Sequence, residues 1–446
     1  MKARESNDAL RLCQVKPLNL LRILVYFPAR TRTPGLWLRV GSAEAVHCKL
    51  TCHCSPLMRH EFDVAVVGGG LVGLSLALAL ERGGLRLALI EPQPPRPAVE
   101  DDTWDSRIYA VSPGTASFLD GLGAWQGLPP ERVTRVEAME IYGDDDAARL
   151  EFSAYDAGLS ELAFILENRL LLQQLWRAAD GAAIRVCCPA SCAALELGPR
   201  EATLWLADGT EIVARLVVGA DGADSWVRAQ AGVAMTPFDY DQLGVVANFT
   251  CEKPHGGVAF QWFRRDGVLA LLPLAGNRVA MVWSIVKERG ERLLRLPAVE
   301  LAAETGDASR GRLGALAVIT PPVAFALRLQ RVAQLTRPRV ALVGDAAHNV
   351  HPLAGQGVNL GFRDARVLAA TLTTSEGRYD CGDHALLRRY ERARAEDVAV
   401  TQFTTHALQK LFNNDVVWLA GARNAGLKLV NLQPQLKNFL VQQAVA

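Results

Sequence analysis

Between residues 62 and 73 the chain reads Phe62-Asp-Val-Ala-Val-Val67 and then Gly68-Gly-Gly70-Leu-Val-Gly73, and no other stretch limits the fold as tightly. Apart from Asp63 the first six residues are apolar, with three β-branched valines, as in a strand buried on both faces. Residues 74–80 continue as an apolar helical segment closed by Gly83-Gly84, and residues 85–90 form a second buried strand that ends at Glu91. The result is a βαβ unit with G-x-G-x-x-G at its turn. Gly68 permits the tight turn, Gly70 lets the backbone approach a pyrophosphate, and Gly73 lets helix and strand pack closely. The helix N-terminus adds unpaired N–H groups and a positive dipole end. Glu91 stands where a carboxylate accepts hydrogen bonds from ribose hydroxyls, so the unit predicts a bound dinucleotide.

Length and charge narrow the class. The chain has 446 residues, half of them hydrophobic, which allows two or three domains with their own cores. Forty-eight basic residues stand against 47 acidic ones, so no global field points to nucleic acid as a partner. No run of about 18 apolar residues is present, and no membrane-spanning helix is expected. Nine cysteines without an exported signature read as reduced thiols of a cytoplasmic protein. His47, Cys48, Cys52, His53 and Cys54 lack a second ligand pair at zinc spacing, so no metal is assigned. Residues 1–57 read as a disordered leader before Met58.

Further along, residues 92–97 form a loop and 112–122 a helix. Residues 162–179 read as one long helix crossed by Glu167-Asn-Arg169. Residues 203–208 and 211–218 suggest a hairpin whose second strand runs into Gly219-Ala-Asp-Gly222. Between 240 and 286, strand-like runs at 245–250, 258–263, 268–272 and 279–284 alternate with glycine turns, which predicts an antiparallel sheet. The α/β pattern returns at Arg339-Val-Ala-Leu-Val343, followed by a helix over about 358–372. From His384 a helical tail places Val400, Phe403, Ala407, Leu411 and Phe412 on one apolar face.

The glycine motif alone does not separate NAD from FAD. Leu342-Val-Gly-Asp345 ends a strand, where ligands of open α/β sheets sit. Asp345 is placed to bind a hydroxyl of a flavin's ribityl chain. Pro352-Leu-Ala-Gly355-Gln-Gly357 then opens a helix whose positive end suits a reduced, anionic flavin.

Taken together, Gly68/Gly70/Gly73, Asp105-Ser-Arg107, Glu167-Asn-Arg169, Gly219-Ala-Asp-Gly-Ala-Asp-Ser-Trp-Val-Arg228 and Gly344-Asp-Ala-Ala-His348 through Gly357 resemble the ubiquinone-biosynthesis FAD-dependent hydroxylases, within the class typified by p-hydroxybenzoate hydroxylase. The resemblance spans roughly residues 60 to 410. It implies that Gly68, Gly70, Gly73 and Glu91 bind the ADP half of FAD and that Arg107 and Arg169 lie close to the cofactor. It implies that Asp221 serves the pyrophosphate and, indirectly, NAD(P)H. Asp345 takes the ribityl chain, and Pro352, Gly355, Gln356 and Gly357 line the flavin ring. The implied activity is hydroxylation of the ring of a polyprenylated phenol, through a flavin hydroperoxide formed with NAD(P)H and O2. Alternatives are a hydroxylase of a small soluble aromatic compound, a flavin reductase that adds no oxygen, and a non-enzymatic assembly subunit.

The implied fold class is α/β: a Rossmann-like FAD-binding domain, an antiparallel β-sheet substrate domain and a helical C-terminal tail. The FAD-binding domain takes 58–135, 161–236 and 331–383, the substrate domain 136–160 and 237–330, and the C-terminal helices 384–446. The catalytic proton carrier is left unassigned. His255, His348 and His351 are candidates, each also readable as a structural hydrogen-bond partner. Tyr240, Gln261 and Trp262 are candidates for the substrate pocket, and Trp262 reads equally well as core. Residues 416–445 mix Trp418, Leu419 and Phe439 with Arg423, Lys428 and Lys437. Packing on the domain or on another subunit is the preferred reading there. Peripheral contact with the inner membrane, or with other ubiquinone-biosynthesis proteins, is the alternative.

Overall fold

The computed structural model describes residues 59–95, 103–143, 149–350, 355–373 and 380–412, together with 433, 435, 437 and 441. The leader, the His47–Cys54 stretch, His351 and Pro352 therefore lie outside the described residues, as does most of 416–445.

The opening strand Arg59–Val67 forms the centre of an eight-stranded sheet. It pairs in parallel with Leu87–Ile90 on one side and Glu211–Gly219 on the other. Ile184–Cys187 and Val340–Leu342 extend the parallel run outward. Continuous apolar strands suit this position because residues of both faces, such as Val64 and Ala65, are fully buried. Val64, Ala65, Leu89, Val217 and Leu342 are buried in one core with Leu74 and Leu76 of the helix Leu71–Arg82 and with Phe362 of the helix Gln356–Thr373. The carboxyl ends of Arg59–Val67, Glu211–Gly219 and Val340–Leu342 lie side by side, which brings Gly68, Ala220 and Val343 together.

A nine-stranded sheet is built around the 17-residue strand Met235–Cys251, with Val258–Arg264, Gly267–Leu274, Arg278–Val286 and Val323–Val332. The pairings are antiparallel, as expected, except that Val258–Arg264 runs parallel to Ala138–Tyr142. The register divides its residues between two faces. Val245, Phe249, Trp262, Met281 and Trp283 turn toward the helices Lys287–Leu293 and Ala298–Ala308 and form a second core. Asn248, Ala259, Gln261, Ala270, Ala280 and Val282 occupy the other face.

Two local expectations are corrected. Residues 162–179 are not one helix: Ala163–Glu167 is a strand of a three-stranded sheet, paired with Ile108–Val111 and Thr134–Val136, and the helix begins at Asn168. Partner strands distant in sequence override the helical period of this apolar run. In the helix His384–Phe412, Val400 and Phe403 face solvent, while Leu387, Tyr390, Arg394, Gln402 and Thr405 are buried. The inward stripe is partly polar because each buried polar group finds a partner there.

Candidate active site

The glycine loop is shaped by contacts that exclude side chains. Gly68 has φ +112°, and a Cβ on it would lie 2.4 Å from the Ala220 carbonyl oxygen. A Cβ on Gly73 would lie 2.0 Å from the Gly68 oxygen, so helix and turn meet with only glycine between them. Gly70 differs, since a Cβ there would meet no protein atom within 4 Å. The fold therefore does not require glycine at position 70, whereas a ligand resting on the backbone does. The Gly69 N–H donates to Glu91 Oε2 at 2.6 Å, and the Gln93 N–H to Oε1 at 2.9 Å. Each oxygen keeps a second lone pair for a hydroxyl donor.

Asp221 follows the neighbouring strand. Its carboxylate accepts the Ser225 hydroxyl at 2.5 Å and the Val227 N–H at 3.0 Å, tying down the start of the helix Trp226–Gln230. Arg228 on that helix donates to the Ala346 carbonyl at 3.0 Å and to the Ala223 carbonyl at 2.8 Å. It thus joins this strand end to the turn Gly344–Ala346.

Asp345 is open to water, while Gly344 and Ala346 beside it are buried. Desolvation nevertheless raises the pKa of its carboxyl, against the opposing pull of His348 and Arg107. The carboxyl is exposed yet lies close to His348 and Arg107. Gly344 and Gly361 pack against Val72 of the opening helix, so this turn adjoins the glycine loop. Gly355, with φ +64°, leads into the helix Gln356–Thr373. Asn359 on its first turns donates to the carbonyls of Ala110 at 2.8 Å and Gly355 at 3.3 Å, and its Oδ1 accepts the Ser112 N–H at 2.9 Å. That set pins the turn to the strand following Arg107. Gln356 and Gly357 are half-buried at the helix start.

Arg107 lies over the Tyr109 ring, with its guanidinium carbon 5.5 Å from the centroid. Its carbonyl accepts the Asn168 N–H at 2.9 Å. Arg169 is more committed. Its Nε donates to Glu167 Oε2 at 3.1 Å, its Nη1 to the Thr103 hydroxyl at 3.0 Å and its Nη2 to the Thr103 carbonyl. The fully buried Glu167 also accepts the Asp105 N–H at 2.6 Å and two bonds from Arg132 at 2.9 and 2.6 Å. Contacts link the described candidates in turn: Gly69 to Glu91, Gly68 to Asp221, Gly73 to Gly68, Val72 to Gly344, Asp345 to the charge of Arg107 and Gly355 to Ala110, with Arg169 bracing Thr103 and Asp105.

The remaining candidates separate. His255 accepts the Gly257 N–H at Nδ1, so its Nε2 donates to the carbonyls of Leu274 and Gly276, both at 2.8 Å; it fixes a turn. His348 is 3 % exposed, with Nε2 2.6 Å from Asp364 Oδ2, a structural partnership. Trp262 is core, stacked on Tyr142 with centroids 5.5 Å apart. Tyr240 pairs with His406 at 3.1 Å, and desolvation pushes its hydroxyl up to about 12. Gln261 lies buried on the sheet's other face, with Asn248, whose amide donates to the Asp105 carbonyl at 2.8 Å. Asp364 and Arg394 have no mark of their role in the sequence, since an isolated charged residue in an amphipathic helix carries no signal of its partner.

The FAD binding domain family matches residues 61–404. The chain belongs to that family. Within these flavin hydroxylases it is 35 % identical to the 3-demethoxyubiquinol 3-hydroxylase of Escherichia coli over 389 residues, covering 86 % of this chain and 98 % of the relative. It is 35 % identical to the ubiquinone hydroxylase UbiL of Rhodospirillum rubrum, covering 86 % and 89 %. It is 30 % identical to the human mitochondrial ubiquinone biosynthesis monooxygenase COQ6, covering 85 % and 92 %. The fold is shared with p-nitrophenol 4-monooxygenase PnpA of Pseudomonas putida, at TM-score 0.68 and 17 % identity over 86 % of this chain and 98 % of that one. As a member of this family the chain is an FAD-dependent monooxygenase, and NAD(P)H is the family's usual co-substrate. No helix among the described residues is long and apolar enough to cross a membrane.

Proposed function

We propose that this enzyme hydroxylates the aromatic ring of a polyprenylated phenol in ubiquinone biosynthesis. The observation that carries the reading is the pairing of the linked residues from Glu91 to Gly355 with an apolar sheet face beside them. The opening at Gly70, the spare lone pairs of Glu91 and the wet but crowded Asp345 carboxylate fit a dinucleotide with polyhydroxyl segments. On this reading Gly68, Gly70, Gly73 and Glu91 hold the ADP half, and Asp345 holds the ribityl hydroxyls. The start of the helix Gln356–Thr373 meets the ring, with Arg107 nearby. Pro352, assigned to the flavin ring on the same reading, lies outside the described residues. Bound FAD supplies the redox and oxygen-activating chemistry that protein side chains lack.

The protein's own task is then to seat the phenol and keep water away. Val246, Val282, Ala270 and Gln261 stand in register across four strands, next to a row of Asn248, Ala280, Leu272 and Ala259. Ala259, Leu272 and Ala280 of that second row pack toward Trp104, Ile108 and Ala110, beside Arg107. The small side chains leave depth for a ring, and Asn248, Gln261 and Ser284 are neutral groups suited to orienting a hydroxyl. On the same face Val323 and Phe325 are 44 % and 46 % exposed and pair with Val246 and Gly244. An isoprenoid tail leaving the site along these residues would remain on apolar surface.

Substrate class is tested by titrating the FAD-loaded enzyme with a prenylated phenol and with its unprenylated counterpart, reading flavin absorbance. The proposal expects the prenylated compound to act at much lower concentration; equal affinity would remove the polyprenyl assignment. Peripheral membrane contact through 416–445 is tested by liposome flotation with and without that segment, and equal partitioning of both forms would end it.

A further inference from the structure

We propose that Asp364, clamped by Arg394 of the C-terminal helix, is the positioning residue that sets the Gly344–Asp345 turn to receive the flavin half of the cofactor. This rests on the assignment of Asp345 to the ribityl chain made above.

Three donors, two from the turn at 344–348 and one from the C-terminal helix, converge on this one carboxylate. The Gly344 N–H donates to Oδ2 at 2.9 Å, His348 Nε2 lies 2.6 Å from the same oxygen, and Arg394 Nε donates to Oδ1 at 2.7 Å. Asp364 is 0 % exposed. Burial pushes its carboxyl up, but His348 and Arg394 outweigh burial, and its pKa lies below the ordinary carboxylate value. The group is therefore an anion that only accepts, which requires His348 to present a proton at Nε2. Gly344 has φ +60°, so the turn is held at its first residue by Asp364 and four residues later through His348. Asp345 is the exposed residue between these anchors.

The C-terminal helix fixes this arrangement from behind. The Tyr390 hydroxyl donates to the Leu342 carbonyl at 2.9 Å, in the strand leading to the turn. Arg394 Nη1 is itself held by Asp397 at 2.6 Å. Farther along the same helix, Gln402 Nε2 donates to the Gln330 carbonyl at 3.1 Å, and His406 meets Tyr240. One helix therefore registers the turn of the eight-stranded sheet against two strands of the nine-stranded sheet. Gly344 meets the glycine loop only by packing on Val72, and none of these hydrogen bonds reaches Glu91, so the effect of Asp364 falls chiefly on the flavin half.

The test compares two ligands of apoprotein in wild type and Asp364→Asn. FAD affinity is read from quenching of flavin fluorescence, and ADP affinity from calorimetry. The amide sets its own N–H groups against donors that need an acceptor. FAD affinity should fall about tenfold or more, while ADP affinity stays the same. Equal affinities for FAD in a folded variant overturn the proposal, and so does an equal loss for FAD and ADP, which marks general loosening. If Asp364→Asn does not fold, Arg394→Lys decides by the same ratio of FAD to ADP losses. Wild-type protein that binds ADP but not FAD would overturn the Asp345 assignment, and this inference with it.

Discussion

Asn248 donates its side-chain amide to the Asp105 carbonyl at 2.8 Å, joining the nine-stranded sheet to the segment that carries Arg107. Asn248 is fully buried, so the bond is made away from water. In Asn248→Asp a carboxylate would face that carbonyl oxygen. The destabilisation at pH 7 is capped at about 4 kcal/mol, because beyond that the carboxyl takes up a proton instead of staying charged. Its folded-state pKa is then raised, so stability returns as pH falls toward the unfolded value near 4. Chemical denaturation of the variant at pH 7 and pH 5 checks this; a loss independent of pH would contradict it.

Gly70 and Gly73 belong to one motif but should respond oppositely to an added methyl. Gly73→Ala drives a Cβ into the Gly68 oxygen at 2.0 Å and should destabilise the apoprotein by about 1–3 kcal/mol. Gly70→Ala meets nothing within 4 Å and should leave apoprotein melting unchanged while weakening FAD binding. Thermal melts with and without FAD separate the two effects. Equal destabilisation of both apoproteins would contradict the assignment of Gly70 to the ligand.

Asp345 should be a residue whose charge costs stability and serves binding. Desolvation raises its folded pKa above the unfolded one. Between those two values the folded state holds more protons, so its contribution to stability falls as pH rises through that window. Apoprotein carrying Asp345→Asn should therefore melt higher than wild type at pH 7, with the difference vanishing toward about pH 4. Saturating FAD should reverse the order. Calorimetric melts across pH, in both ligation states, read this directly.

The parallel sheet could be read from the chain because its strands are continuous apolar runs bounded by glycine, a local signal. The strand Ala163–Glu167 could not, because its identity comes from Ile108–Val111 and Thr134–Val136, and its apolar residues merge with the helix that follows. The parallel pairing of Val258–Arg264 with Ala138–Tyr142 is likewise set by residues about 120 positions away. In the site, glycines declare themselves by spacing and Asp345 by ending a strand. Asp364 and Arg394 do not: each looks like one more charge on a helix, and only the fold brings them within 2.7 Å. The apolar positions of the last helix misled for the same reason, since its buried stripe follows the partners of Tyr390, Arg394 and Gln402.

Isotopically labelled dioxygen tests the central claim most directly. The enzyme loaded with FAD is supplied with NAD(P)H and a prenylated phenol, and the product is weighed by mass spectrometry. One labelled oxygen atom in the new ring hydroxyl is the predicted result. A product with no labelled oxygen, or NAD(P)H consumption that leaves the phenol unchanged, would contradict the account.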